Sequence, residues 1–265
     1  MKLMREQPWN QRRGSHYHYQ WYRNLLELHT LTNRWLEALH IDPKGRAHQI
    51  KRVTAPQLHD MIEILEHITL RSVKPDLKIF LNDKDPSELL AQLDHTVWII
   101  QSWTYMNLLE RTPQKEKDAV RNILEQASWK AGRQSAHDLW GEADDELKKN
   151  LRGILLTFQE GPLSGAPKKK GYLIKRVIEN ELQLELLHCP HQIPYYEVRP
   201  VADELCDLHC HWTRGFAYAL NTQIVIDYKP LDRTQETGYP QYCHLHWSLK
   251  KKTKHLTETL PSFNF

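Results

Sequence analysis

The chain has 265 residues, enough to bury a hydrophobic core as one large domain or two smaller ones. Apolar residues make up 40 % and charged residues 26 %, an ordinary globular composition, and the net charge of +3 is too small to indicate a nucleic-acid-binding surface. No apolar run approaches the roughly 20 residues that a membrane-spanning helix needs. Residues 1–14 lack the apolar segment of a secretory signal. We therefore expect a cytoplasmic protein that uses neither a membrane nor nucleic acid as its partner.

The first part of the chain is predicted to be helical. Between Tyr17 and Leu39 apolar side chains recur at steps of three and four residues, the period of an amphipathic helix. Thr54-Ala55-Pro56-Gln57 has the pattern of a capping box. Asp85-Pro86-Ser87-Glu88 is a stronger helix start, with an Asp N-cap and proline at the first helical position. Thr112-Pro113 begins a further helix.

Small residues mark one stripe of that further helix. Ala127, Ala131 and Ser135 share the stripe, with Gly132 beside it. Small side chains let a neighbouring backbone approach closely, so we expect a tight helix–helix or helix–sheet contact here. The helix should end at Gly141.

The later part of the chain mixes strands and helix. Leu182, Leu184 and Leu186 alternate with polar residues, which predicts a strand with one buried face. A helix is predicted over residues 202–220, and strands are predicted over 223–228 and 242–249.

These elements predict an α+β fold, with a helical N-terminal half followed by a compact α+β domain that contains a small antiparallel sheet. We divide the chain into a flexible arm over residues 1–16, a helical region over 17–112 and an α+β domain over 113–255 that carries a Cys/His site.

All four cysteines lie between His188 and Trp247, each with a histidine nearby. Thiolates and imidazoles are metal ligands, and they also serve as nucleophile and base. On the predicted helix Cys206, His209 and Cys210 stand at i, i+3 and i+4, so they share one face. The alternative is that both thiols are simply buried.

Two further residues of this helix belong to the candidate site. His211 turns away from the shared face by about a quarter-turn, and Arg214 returns to the Cys210 side. An arginine close to a thiol lowers the thiol pKa and favours the thiolate.

The remaining two cysteines lie near strands. Cys243 alternates with apolar residues of the last strand, which favours a core thiol, whereas His244 lies on the opposite face. Cys189 follows a strand and precedes a proline, and either a site or a core position fits it. A Cys-x3-Cys pair completed by a remote Cys and His could bind zinc or iron tetrahedrally. The candidate ligands are Cys189, Cys206, Cys210 and His244, although their spacing matches no standard zinc motif.

Several segments together resemble a known family. They are the helix segment Glu125–Ala136 with its central glycine, the strand ending Cys189-Pro190, the helix Glu204–Ala217, the strand Ile224–Ile226, and Gly238 followed by Cys243. This pattern is similar to the L-2-amino-thiazoline-4-carboxylic acid hydrolase-like proteins and the related vinyl-reductase-type small-molecule-binding domains. The resemblance covers about residues 115–250. It departs from the family where acidic residues are expected, at positions 211–213 and 244.

The resemblance implies a small-molecule hydrolase that acts on C–N or C–S bonds of a heterocycle. Cys210 would be nucleophile or ligand, His209 or His211 the proton carrier, and Arg214 the anchor for a substrate carboxylate. The alternative is a non-catalytic module that binds a small ligand or a metal ion. Its helical region would then dock a partner or form a homodimer.

Overall fold

The structure is a computed structural model that describes residues 16–42, 59, 62, 86–140, 151, 172–178, 181–186, 202–230 and 243–249. The helices that it describes along their whole length are α1 (His16–Ala38), α2 (Pro86–Arg111), α3 (Lys117–Trp140) and α4 (Ala202–Leu220). The strands are β1 (Tyr172–Ile178), β2 (Glu181–Leu186), β3 (Ile224–Pro230) and β4 (Cys243–Leu249). The α+β class predicted from the sequence is confirmed.

Most helix ends follow from local chemistry. α2 begins at Pro86, whose missing N–H costs nothing in a first turn, and a 3-10 turn over Gln114–Glu116 follows Pro113 and leads into α3. α1 ends without glycine. His40 has a φ of 56°, and the Ile41 N–H donates to the Leu36 carbonyl at 2.9 Å, the Schellman arrangement that satisfies a free carbonyl at a helix end.

The four strands form one antiparallel sheet in the order β1-β2-β4-β3. The register places Leu182, Trp247 and Ile226 side by side across three strands, and all three are buried. This row lies on the buried face of the sheet. Strand β3 also contacts α4. Burying a side chain of this size contributes about 1.5–3 kcal/mol each.

Strand β1 was not predicted from the sequence. Only two residues of sequence separate Ile178 from Glu181, and the two strands pair in antiparallel register. A run rich in β-branched residues followed by so short a connection is typical of a hairpin, and that signal was present in Tyr172–Ile178.

Helices α1, α2 and α3 share one hydrophobic core with α4 and the sheet. Trp35 of α1 is fully buried, and its ring meets Tyr105 of α2 edge-on with 6.4 Å between centroids. The Trp35 indole Nε1 donates to the Ser128 hydroxyl of α3 at 2.8 Å. The polar end of a large core side chain is thereby satisfied.

Helices α3 and α4 run parallel in the closest helix contact of the described residues. Contacts advance in the same direction along both helices, from Arg121–Glu204 through Glu125–His211 to Trp129–Gly215. A Cβ built on Gly132 would overlap the Trp212 carbonyl. The tight contact expected at the small residues of α3 is therefore confirmed as a helix–helix contact.

Some expectations lie outside the described residues. They are residues 1–15 of the arm predicted over 1–16, the capping box at residues 54–57, most of the helix predicted after Gly141, and the cysteine at position 189. The boundaries of the three predicted regions stay predictions.

In the described part of the chain, no helix has the length and apolarity needed to cross a membrane.

Candidate functional site

The face of α4 that carries Cys206, His209 and Cys210 points mainly into the protein. His209 is 4 % exposed and Cys210 is 8 % exposed, while Cys206 is half-buried against the core. The shared face predicted from the spacing is therefore largely a core face.

His209 belongs to a buried polar network that joins three helices. Its Nε2 lies 2.8 Å from Gln101 Oε1 on α2, and Gln101 Nε2 donates to Thr32 Oγ1 on α1 at 3.4 Å. Because the amide nitrogen of Gln101 donates to Thr32, its oxygen is the acceptor and His209 Nε2 carries the proton. Thr32 in turn donates to the Leu28 carbonyl at 3.2 Å.

Burial keeps His209 neutral. Desolvation lowers its pKa from 6.5 to about 3. The ring also meets Trp98 edge-on, with 5.2 Å between centroids. A proton carrier needs a pKa near the working pH and access to its substrate, and His209 has neither.

His211 is more accessible to solvent than His209. It is half-buried on the side of α4 that faces α3, and its Nε2 lies 3.7 Å from Glu125 Oε2. Burial lowers the pKa of His211, an effect opposed by Glu125 and Asp207 and supported by Arg214. The ring is therefore a neutral base at physiological pH with a carboxylate beside it.

Two more charged groups complete this cluster on α4. Burial raises the pKa of the Asp207 carboxyl, and Glu125 and Glu204 add to the rise, while His211 and Arg214 oppose it. Arg214 donates from Nε to the Ile226 carbonyl of the outer strand β3 at 3.0 Å. We call Glu125, Asp207, His211 and Arg214 the α3–α4 cluster.

The cluster pairs an acid with a raised pKa and a base with a lowered pKa. The two shifts bring the pKa values of the Asp207 carboxyl and the His211 imidazole closer together than their ordinary values.

Of the four predicted metal ligands, the structure describes the side chains of Cys206 and Cys210. Among the residues that it describes, no three His, Cys, Asp or Glu side chains come together in a group that could hold a metal ion. The His209 Nε2 faces the Gln101 amide, which removes one nitrogen from ligation. The Cys189 residue and the His244 side chain lie outside the described part of the chain.

Two of the four residues of the α3–α4 cluster are predicted from the sequence. His211 and Arg214 were candidates from their place on the helix, whereas Glu125 and Asp207 were not. Asp207 carried a usable signal, because it stands four residues before His211 and one turn separates facing side chains on a helix. Glu125 carried none, since its proximity depends on how α3 packs against α4.

What the fold and the cluster define is an α+β protein with a His-carboxylate-Arg site between two parallel helices. No family model, no curated protein and no solved structure matches the chain.

Proposed function

We propose that the chain is a small-molecule hydrolase of the thiazoline-carboxylate type, with His211 as its proton carrier. The observation that carries the proposal is the 3.7 Å pair of His211 and Glu125 at a half-buried position. A carboxylate beside an imidazole orients the ring and stabilises its protonated form after it takes a proton.

The proposed reaction is the addition of water across a C–N or C–S bond. His211 removes a proton from the attacking water while the new C–O bond forms. The same proton then passes to the departing nitrogen or sulfur as its bond to carbon breaks. The base is regenerated when this proton leaves. Hydrolysis changes no oxidation state, so no oxidant or reductant is consumed.

Attack is assigned to water because Cys210 is buried. Its direct helix neighbour His209 is neutral and hydrogen-bonded to Gln101. A cysteine nucleophile needs an accessible thiolate with a base within reach, and these contacts favour neither.

Arg214 is the proposed anchor for a substrate carboxylate. Its Nε is held by the Ile226 carbonyl, which fixes the direction of the guanidinium. An arginine has further N–H donors in a planar fork that matches a carboxylate. Asp207, whose carboxyl pKa is raised by burial, lies on the same face of α4.

The test uses L-2-amino-thiazoline-4-carboxylate as the probe and the full chain as the enzyme. Ring opening is followed by the loss of thiazoline absorbance, and binding is measured in parallel by calorimetry. We expect turnover in the parent chain and a loss of about 100-fold or more in kcat for His211→Gln, the usual contribution of a general base. Cys210→Ala should retain turnover.

His246→Gln is the matched control. His246 is another partly exposed histidine beside a carboxylate, with its Nδ1 4.0 Å from Asp227, but it lies on the sheet. Equal losses in both histidine variants would refute the assignment to His211. Binding of the probe without turnover would instead support the non-catalytic ligand-binding module.

A further inference from the structure

An arginine and two aromatic rings form a cluster at the surface of α3 and α4. The Cζ atom of Arg133 lies 4.8 Å from the centroid of the Trp129 ring and 5.7 Å from the centroid of the Tyr218 ring. The two rings come from different helices, and their centroids are 5.5 Å apart with an angle of 47° between the ring planes. We call Trp129, Arg133 and Tyr218 the aromatic–arginine cluster.

The contact between the two helices fixes the two rings relative to each other. The α4 backbone at Gly215 lies against the Trp129 carbonyl, and Tyr218 follows Gly215 by nearly one turn. Arg133 follows Trp129 by four residues, so the two side chains are neighbours on α3. A guanidinium over an aromatic face is attracted by the electrons of the ring. The flexible arginine is therefore oriented before any partner binds, which reduces the entropy that binding costs.

The guanidinium of Arg133 has no carboxylate partner among the described residues. The side chain is exposed, and its contacts there are the two rings. Asp138, the nearest acidic residue along α3, accepts a hydrogen bond from Gln134 Nε2 at 2.7 Å instead. Lys130, next to Trp129, is exposed as well. Because stacking uses none of the five N–H donors of an arginine, the cluster presents a positive charge and a planar donor fork to the solvent.

We propose that the aromatic–arginine cluster is a docking site for an acidic protein segment, with a carboxylate of the partner bound to Arg133. Charge complementarity defines the partner, since Arg133 and Lys130 are both positive. Tyr218, which is 38 % exposed, adds apolar contact area beside the charge. Tryptophan, tyrosine and arginine are also the side chains that most often dominate the affinity of protein interfaces. This docking site is independent of the proposed hydrolase activity.

A nucleic acid fits this surface less well than an acidic protein does. Bases bind by stacking on open aromatic faces, whereas Arg133 already covers one face of Trp129 and of Tyr218. The net charge of +3 also gives the chain little general attraction for a phosphate backbone. A carboxylate needs only the edge of the guanidinium, because it accepts two parallel N–H groups.

The experiment titrates a capped oligoglutamate peptide into the full chain at low ionic strength and follows the arginine Nε–Hε groups by NMR. The Arg133 signal is assigned with Arg133→Lys. We expect this signal to shift on binding, and we expect Arg133→Gln to weaken the affinity about tenfold, as for the loss of a charge-assisted bidentate contact. A parent chain whose Arg133 signal does not move would overturn the proposal.

Arg111→Gln is the matched control. Arg111 is an exposed arginine in the last turn of α2, so the substitution removes the same charge at another place. Its affinity for the peptide should stay close to that of the parent. Equal weakening in both variants would mean that the peptide responds to the overall charge, and the docking site would be refuted.

Two further measurements test the rings and the class of partner. Tyr218→Ala changes no charge, and it should weaken the affinity about threefold because one of the rings that hold Arg133 is lost. An affinity equal to that of the parent would contradict a role for the cluster. An oligouridylate of the same charge should bind more weakly than the peptide. If it moves the Arg133 signal at lower concentration, the partner is a nucleic acid and the proposal is wrong.

Discussion

Gly132 on α3 and Gly215 on α4 each face a backbone carbonyl of the other helix. A Cβ on Gly132 would overlap the Trp212 carbonyl, and a Cβ on Gly215 would overlap the Trp129 carbonyl. Each glycine therefore has room only for its hydrogens, and the two contacts are reciprocal. This spacing lets Glu125 reach His211, because the helix backbones touch near the middle of both helices.

The glycine pair gives a prediction with an unambiguous sign. Gly132→Ala should destabilise the protein by about 2 kcal/mol, because the new methyl group pushes two backbones apart. Helix propensity alone predicts the opposite, a gain of about 1 kcal/mol. The free energy of unfolding in urea distinguishes the two, with Gln126→Ala at an exposed position of α3 as the control. A stabilised Gly132→Ala protein would contradict the close contact.

His209 makes stability depend on pH. Its pKa is about 3 in the folded protein and 6.5 as the ordinary value, so the unfolded chain binds more protons between these limits. The contribution of the neutral His209 ring to the free energy of unfolding is complete above pH 6.5 and is lost as the pH falls toward about 3. Between pH 7 and pH 5 the loss should be about 2 kcal/mol.

The measurement is urea unfolding of the parent and of His209→Gln at both pH values. Glutamine cannot titrate, so the variant should lose less stability on acidification, whatever its stability at pH 7. His246→Gln on the sheet serves as the control for the substitution itself. Identical dependence in His209→Gln and the parent would rule out a neutral buried His209.

The Trp35–Ser128 hydrogen bond should be measurable by a double-mutant cycle. Ser128→Ala leaves a buried indole N–H without its acceptor, which costs about 1–3 kcal/mol. In a Trp35→Phe background the same change should cost about 1 kcal/mol less, since no N–H is left unsatisfied. Additive effects of the two substitutions would show that this hydrogen bond does not contribute to stability.

The two cysteines of α4 should differ in reactivity. Cys206 is half-buried and Cys210 is buried, so iodoacetamide should label Cys206 faster in the native protein. Peptide mass spectrometry assigns the labelled residue, and labelling in urea, where both thiols are exposed, provides the reference. Faster native labelling of Cys210 would return it to the list of candidate nucleophiles.

The sequence by itself determined most of the elements. Apolar spacing placed α1, the Asp-Pro start placed α2, and alternation placed β2 and β4, because each of these signals depends only on neighbours along the chain. β1 was missed although its short connection to β2 was visible. Local periodicity also predicted the strand faces that carry Leu182 and Trp247, and both side chains are buried.

Only the tertiary structure decided how the two helix histidines differ in their surroundings. His209 and His211 stand two residues apart on one helix, and the sequence treats them as equal candidates. α2 lies against the first and supplies Gln101 and Trp98, while α3 lies against the second and supplies Glu125. Burial and charge at a site come from residues that are distant in sequence, so a helix face can be predicted from spacing but its surroundings cannot.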